Sequence, residues 1–195
     1  MTENQKALCS FFENQGIDDQ TFLSGFIEPW REYDFGKGDV ITREGQVERH
    51  IYFVLNGIQK STYTHHGKEH VIAFTHPGSF CSVPDSLYSQ SPSRCTLSAL
   101  TTSLLLGVEY QHFEEQIGQH GQLKNLFINM LKQVLVGVIG RHYELHAYSM
   151  EERFKVFYDR SKHLINQIPR KDIASYLNID PTNLSKLLKK YSLQG

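Results

Sequence analysis

Eight basic or polar side chains near the C-terminus have the types and spacing to meet nucleic acid: Arg170, Lys171, Thr182, Asn183, Ser185, Lys186, Lys189 and Lys190. An asparagine amide can donate to and accept from an adenine edge at once, and lysines meet phosphates or bases as point charges. The charge is partitioned to match. Residues 151–195 carry nine Lys or Arg against five acids, whereas the rest of the chain carries 11 against 16. A basic end on an acidic body suits a chain of which one end meets phosphate. A solvated basic helix face would show the same balance.

Such side chains need two short helices held at a sharp turn, and the stretch from Ile168 to Lys190 supplies the parts. The pattern predicts helices over about 169–177 and 181–191, after an earlier one over 151–165 that ends before Ile168-Pro169. Ala174 is small where a second helix must cross closely. Asn178 tolerates a left-handed backbone at the turn. Asp180 is a good N-cap and Pro181 a good first helical residue. Ile173, Leu177, Ile179, Leu184 and Leu187 or Leu188 supply a shared core. This is the pattern of a helix-turn-helix, whose second helix enters the major groove of double-stranded DNA. A helical hairpin with no such role is the other reading.

Other chemistry is thin. Cys9, Cys81 and Cys95 are odd in number and irregular in spacing, which argues against a disulfide framework. The residues from Met1 to Lys6 lack the basic start and apolar stretch of a leader, so a cytoplasmic protein is expected. Three thiols fall short of the four that an ordinary iron–sulfur cluster uses. Cys81 and Cys95 leave a redox sensor open beside the reading as inert buried thiols. His142 and His146 stand one turn apart, and His65, His66, His70 and His76 surround one hairpin. Neither set brings the three or four convergent ligands of a zinc site, so no metal is expected. There is no Gly-Lys-Ser/Thr phosphate loop and no Gly-x-Ser-x-Gly elbow. Asp85 with Arg94 reads as a structural ion pair, and enzyme activity is not expected. With 39% hydrophobic and 21% charged residues the composition is that of a globular domain. No apolar run approaches the roughly 20 residues of a membrane helix, and no membrane partner is expected.

Upstream, the period changes twice. Leu8, Phe11, Phe12 and then Phe22, Leu23, Phe26 recur at helical spacing up to Pro29. Residues 30–109 alternate short apolar runs with turn residues: Val40-Ile41, 51–55, 71–74, 96–100 and 104–108. Several short strands separated by Gly and Pro signals predict an antiparallel barrel or sandwich, with bends at Asn56-Gly57 and His66-Gly67. Helical spacing returns from 110. Leu123, Phe127, Met130, Leu131, Val134, Leu135, Val138 and Leu145 form an apolar stripe over about seven turns. It reads either as an ordinary core helix or as a dimer interface.

The glycine-punctuated stretch 37–45, then 51–57, Pro77-Gly78-Ser79-Phe80 and Arg94-Cys95-Thr96 resemble the cyclic-nucleotide-binding domain. Followed by the long helix and the terminal motif, the order is similar to the Crp/Fnr family, the cyclic-AMP receptor and fumarate-nitrate regulators. The resemblance covers nearly the whole chain. It implies an α+β fold: an N-terminal double-stranded β-helix, a jelly-roll or cupin-like β-roll, with flanking helices (1–120), a long dimerisation helix (121–148) and a small helix-turn-helix domain (149–195). It also implies a homodimeric bacterial transcription regulator, with RNA polymerase as a further partner and a small-molecule effector. The pocket expected from it comprises Phe80, Cys81, Ser82, Val83, Asp85, Arg94 and Cys95, with Arg94 in the place of the family's phosphate-binding arginine. Ser82 and Val83 replace the family's Gly-Glu pair and Pro84 lacks an N–H, so an altered cyclic-AMP site is expected. A standard nucleotide, a different small ligand and an empty pocket stay open. At the DNA end, Pro181 and Thr182 replace the family's Arg-Glu pair and Lys186 a later Arg. The sequence stops at Gly195 before any wing, so a minimal reading head is expected. A small-ligand-binding or protein-interaction module that no longer binds DNA specifically is the alternative.

Overall fold

A computed structural model describes residues 1–192 of the chain; the end of the expected third domain, residues 193–195, lies outside them. The chain divides into a unit formed by Met1–Asn129 and a unit that begins at Met130.

The first unit opens with two helices, α1 (Glu3–Asn14) and α2 (Gln20–Ile27). Thr2 and Gln5 start α1 as a reciprocal capping box, and Asp19 caps α2. Eight antiparallel strands follow: β1 (Arg31–Phe35), β2 (Val40–Thr42), β3 (His50–Asn56), β4 (Gln59–His65), β5 (Lys68–Thr75), β6 (Phe80–Cys81), β7 (Cys95–Ala99) and β8 (Ser103–Glu109). They form two four-stranded sheets, in the orders β1-β8-β3-β6 and β2-β7-β4-β5. A six-residue helix, α3 (Pro84–Ser89), interrupts the strands, and α4 (Tyr110–Gln119) closes them.

The expected strands are all present. Three more were not legible, each for a physical reason. β1 (REYDF) and β4 (QKSTYTH) carry few apolar residues, yet β4 is central, paired to both β5 and β7. β6 is two residues long. Both expected bends occur. His66 and Gly67 take φ of 49° and 73°, the signature of a tight two-residue hairpin. Gly57 sits at φ +87°, where a Cβ would lie 2.4 Å from the Thr102 carbonyl oxygen, so only glycine fits.

Two cores flank the first sheet. Inside the roll, Tyr52, Val54, Cys81, Val83, Leu97 and Leu105 pack together with Tyr33, Phe35, Ile41 and Cys95. On the other face an aromatic layer joins sheet to helices: Phe80 lies 5.5 Å from Phe11, 5.4 Å from Phe53 and 5.2 Å from Phe127. This alternation is the period-two geometry of a strand covered on both faces.

α5 (Gly121–Ala147) begins in the first unit and continues into the second. Leu123 and Phe127, expected at a dimer interface, are instead buried in the first unit, Phe127 against Phe12, Phe80 and Phe113. Met130 is half-buried. Leu131, Val134, Leu135, Val138 and Leu145 remain exposed, together with Val136 and Ile139. By length and composition α5 is apolar enough to cross a membrane, which no single apolar run in the sequence indicated. Its Arg141 and Glu144, however, are packed against protein.

The second unit adds α6 (Met150–Ser161), a 3₁₀ turn at Lys162–Leu164, α7 (Arg170–Leu177) and α8 (Pro181–Ser192). Phe154, Phe157, Ile173, Leu177 and Leu184 form its core. Glu144 is buried and holds two arginines, Arg141 at 2.7 Å and Arg160 at 3.4 Å. The Arg141 guanidinium lies 4.3 Å from the centre of the Tyr176 ring and donates to the Tyr176 carbonyl. These contacts lock α5, α6 and α7 together within the unit.

Candidate nucleic-acid interface and effector region

The turn between α7 and α8 is built as its residues dictate. Asn178 adopts the left-handed conformation (φ 52°, ψ 51°) that ends α7. Arg153 on α6 secures it, donating to the carbonyls of Leu177 (2.9 Å) and Asn178 (3.2 Å). Asp180 Oδ1 accepts from the backbone N–H of Thr182 (2.8 Å) and Asn183 (3.4 Å), starting α8. These hydrogen bonds, with the Lys186 charge nearby, hold the Asp180 carboxyl below the usual aspartate range. Ala174 is buried, as are Ile173, Leu177, Ile179, Leu184 and Leu187.

With about 100° between successive residues of a helix, Thr182, Ser185, Lys186 and Lys189 share one face of α8. All four are exposed. The Ser185 hydroxyl donates to the Pro181 carbonyl (2.9 Å). Asn183 lies on the flank and is half-buried, a poorer place for a base-reading amide than its sequence position implied. Lys190 is exposed and pairs with Glu151 on α6. Arg170 and Lys171 are exposed at the start of α7. Arg170 and Lys189 border a groove of about 540 Å³ with Lys162, Tyr158, Asn166 and Leu188. Lys162 was missed as a candidate; its only signal in the sequence is its share of the basic balance.

The expected effector residues differ in their surroundings. Phe80 turns to the helix side of the sheet, into the aromatic layer. Cys81 and Val83 are buried among the apolar side chains that fill the roll. Burial pushes the Cys81 thiol up to about 12, with Thr75 Oγ1 3.2 Å away. Cys95 is half-buried and its thiol is raised by burial and then by the Asp85 charge. Arg94, the expected phosphate ligand, is 78% exposed and pairs with Asp85 at 3.2 Å. Ser82 is half-buried. α3 has no side-chain cap and has Pro at its start, so its first turn offers fewer N–H donors than an anion cradle uses.

Glu48, absent from the expected site residues, is buried beneath α3. Its Oε2 accepts from Thr42 Oγ1 (2.5 Å) and its Oε1 from the N–H of Arg49 (3.0 Å) and His50 (3.1 Å). Its own N–H donates to Ser86 Oγ on α3 (2.9 Å). Two open cavities on the roll share His50 as a lining residue. One, of about 350 Å³, is lined by Ile41, Thr42 and residues 46–50 with Tyr52; the other, of about 330 Å³, by Arg31, Tyr33, His50, Gly107, Glu109 and His112 among others.

No curated protein sequence matches the chain. Residues 32–120 match the family model of the cyclic nucleotide-binding domain. Among solved structures, FixK2 from Bradyrhizobium japonicum is similar with a TM-score of 0.75 and 21% identity, over 85% of this chain and 86% of that one. The global regulator CLP of Xanthomonas campestris, described as responsive to c-di-GMP, gives 0.62 and 16%, over 91% and 93%. The catabolite activator protein of Thermus thermophilus gives 0.56 and 20%, over 92% and 86%. At these identities the likeness is one of fold: residues 32–120 are similar to a cyclic nucleotide-binding domain, set in a chain folded like these three along nearly its whole length.

Proposed function

We propose that the chain is a homodimeric, DNA-binding transcription regulator of the Crp/Fnr type. In this reading α7 and α8 form a helix-turn-helix, with α8 in the major groove. The observation that carries it is the exposed row Thr182, Lys186 and Lys189 on a helix whose entry is fixed by Asp180 and whose preceding turn is fixed by Arg153. Arg170 and Lys171 stand where a first helix crosses the phosphate backbone. The names of the Xanthomonas and Thermus structures, a global regulator and an activator protein, support the class. The exposed stripe of α5 supports the dimer, because five large apolar side chains in water favour a partner. RNA polymerase is the further partner such a regulator would engage.

Lys186 is assigned to phosphate. Fluorescence anisotropy with a generic duplex over a range of salt tests this. Lys186→Ala should weaken binding and reduce the slope of log K against log salt by about 0.9. An unchanged slope removes Lys186 from the phosphate contacts.

The β-roll in this reading has an altered cyclic-AMP site. Arg94 is tied to Asp85 at the surface, and side chains fill the roll interior. Calorimetry with cyclic AMP and cyclic GMP should show no tight binding; tight binding of either overturns the altered site.

A further inference from the structure

On α5, Leu131, Leu135, Val138, His142 and Leu145 follow one another in steps of four, three, four and three, all of them exposed. That is the heptad spacing by which two helices pack along each other. His142 interrupts the apolar row, and His146, also exposed, stands one turn beyond it. The two imidazole rings lie 4.1 Å apart, centre to centre. His146 Nδ1–H donates to the His142 carbonyl oxygen at 2.9 Å. A carbonyl only accepts, so in this contact Nδ1 carries a proton, and in the neutral ring the lone pair is then on Nε2. This is the tautomer that a metal-binding histidine adopts when a backbone carbonyl orients it.

Among the described residues no group of three or more His, Cys, Asp or Glu is placed to hold a metal within one chain. Two imidazoles are therefore half a site. The other half can come from a second copy. The row from Leu131 to Leu145 carries no charge, so the same face of another chain can meet it without burying an unpaired ion. A two-fold axis along the helix then sets position 142 of each copy opposite its twin. We infer that His142 and His146 of two copies together hold one divalent transition-metal ion of the zinc class. Four neutral imidazoles suit a tetrahedral, borderline-soft ion. The inference rests on the α5 dimer of the preceding section and adds to it a metal that fixes the register of the two helices.

Full-length protein, stripped with EDTA, is titrated with zinc chloride by calorimetry, and its mass is followed by sedimentation with and without zinc. The expected result is one zinc per two chains, a dimer tightened by zinc, and loss of both in His142→Ala and His146→Ala. Circular dichroism checks that these exposed substitutions leave the fold intact. A dimer that takes up no zinc, takes up one per chain, or binds it equally in both variants overturns the metal site and leaves the dimer standing. A chain that stays monomeric with and without zinc overturns the dimer, and the shared site with it.

Discussion

Cys81 and Asp180 illustrate how surroundings set chemistry at the scale of a residue. Burial holds the Cys81 thiol protonated, so a thiol reagent at pH 8 should leave Cys81 unlabelled in the native chain and label it once the chain is unfolded. Rapid native labelling, read by peptide mass, would contradict its burial. Asp180 behaves in the opposite sense. Its folded value is depressed, so its contribution is fully present above the ordinary aspartate range and is lost as pH falls through the depressed value, below about pH 4. Asp180→Asn should retain a cap while flattening that acid limb of a stability–pH curve, whereas Asp180→Ala should lower stability at neutral pH as well. A limb unchanged in Asp180→Asn would contradict the role of the charge. Gly107 is constrained by packing: a Cβ there would lie 2.7 Å from Tyr52 and 2.8 Å from Tyr33. Gly107→Ala should cost about 1–3 kcal/mol in a denaturant titration.

Residues of this kind were unevenly legible in the sequence. The turn at Asn178, the cap at Asp180 and the small Ala174 follow from local sterics, which a run of ten residues contains in full. Glu48 does not. Its partners Thr42 and Ser86 come from a neighbouring strand and from α3, and only the closed roll brings them together. Phe80 failed for a related reason: the two-residue strand β6 decides which face its ring takes, and two residues show no period.

At the scale of elements, α5 carries the heaviest demand. Its first turns are spent on the chain's own aromatic layer, and its later turns expose the apolar row. Leu135→Glu should shift sedimentation from dimer to monomer with little change in helix content, because Leu135 is exposed in the single chain. A variant that stays dimeric would move the interface off α5. In the second unit, Glu144 bridges Arg141 and Arg160 with its side chain 8% exposed. Glu144→Ala leaves the Arg141 guanidinium without its buried partner and should cost about 3 kcal/mol or more. The helices outside the roll were legible nearly to their ends because periodicity and caps agree, whereas α3 (Pro84–Ser89) was not, because six residues are too short to show a helical period. The strands β1 and β4 were not, because their polar side chains are satisfied by neighbours distant in sequence.

At the scale of the whole molecule, residues 1–150 are acidic and residues 151–195 basic, and the proposed reading assigns DNA to the basic end. A dimer with two-fold symmetry should read two half-sites about one helical turn, roughly 34–36 Å, apart. The order of parts along the chain was legible because each part has its own period. Whether the roll holds an effector was not, because an effector site depends on which side chains leave space between two sheets. The measurement that bears most directly on the central reading is selection of bound duplexes from a random pool by the full-length chain, at near-physiological salt. The expected result is a two-fold symmetric consensus that is lost in a Thr182→Ala/Lys186→Ala variant. A pool with no consensus, at every salt concentration tried, contradicts a sequence-specific DNA reader.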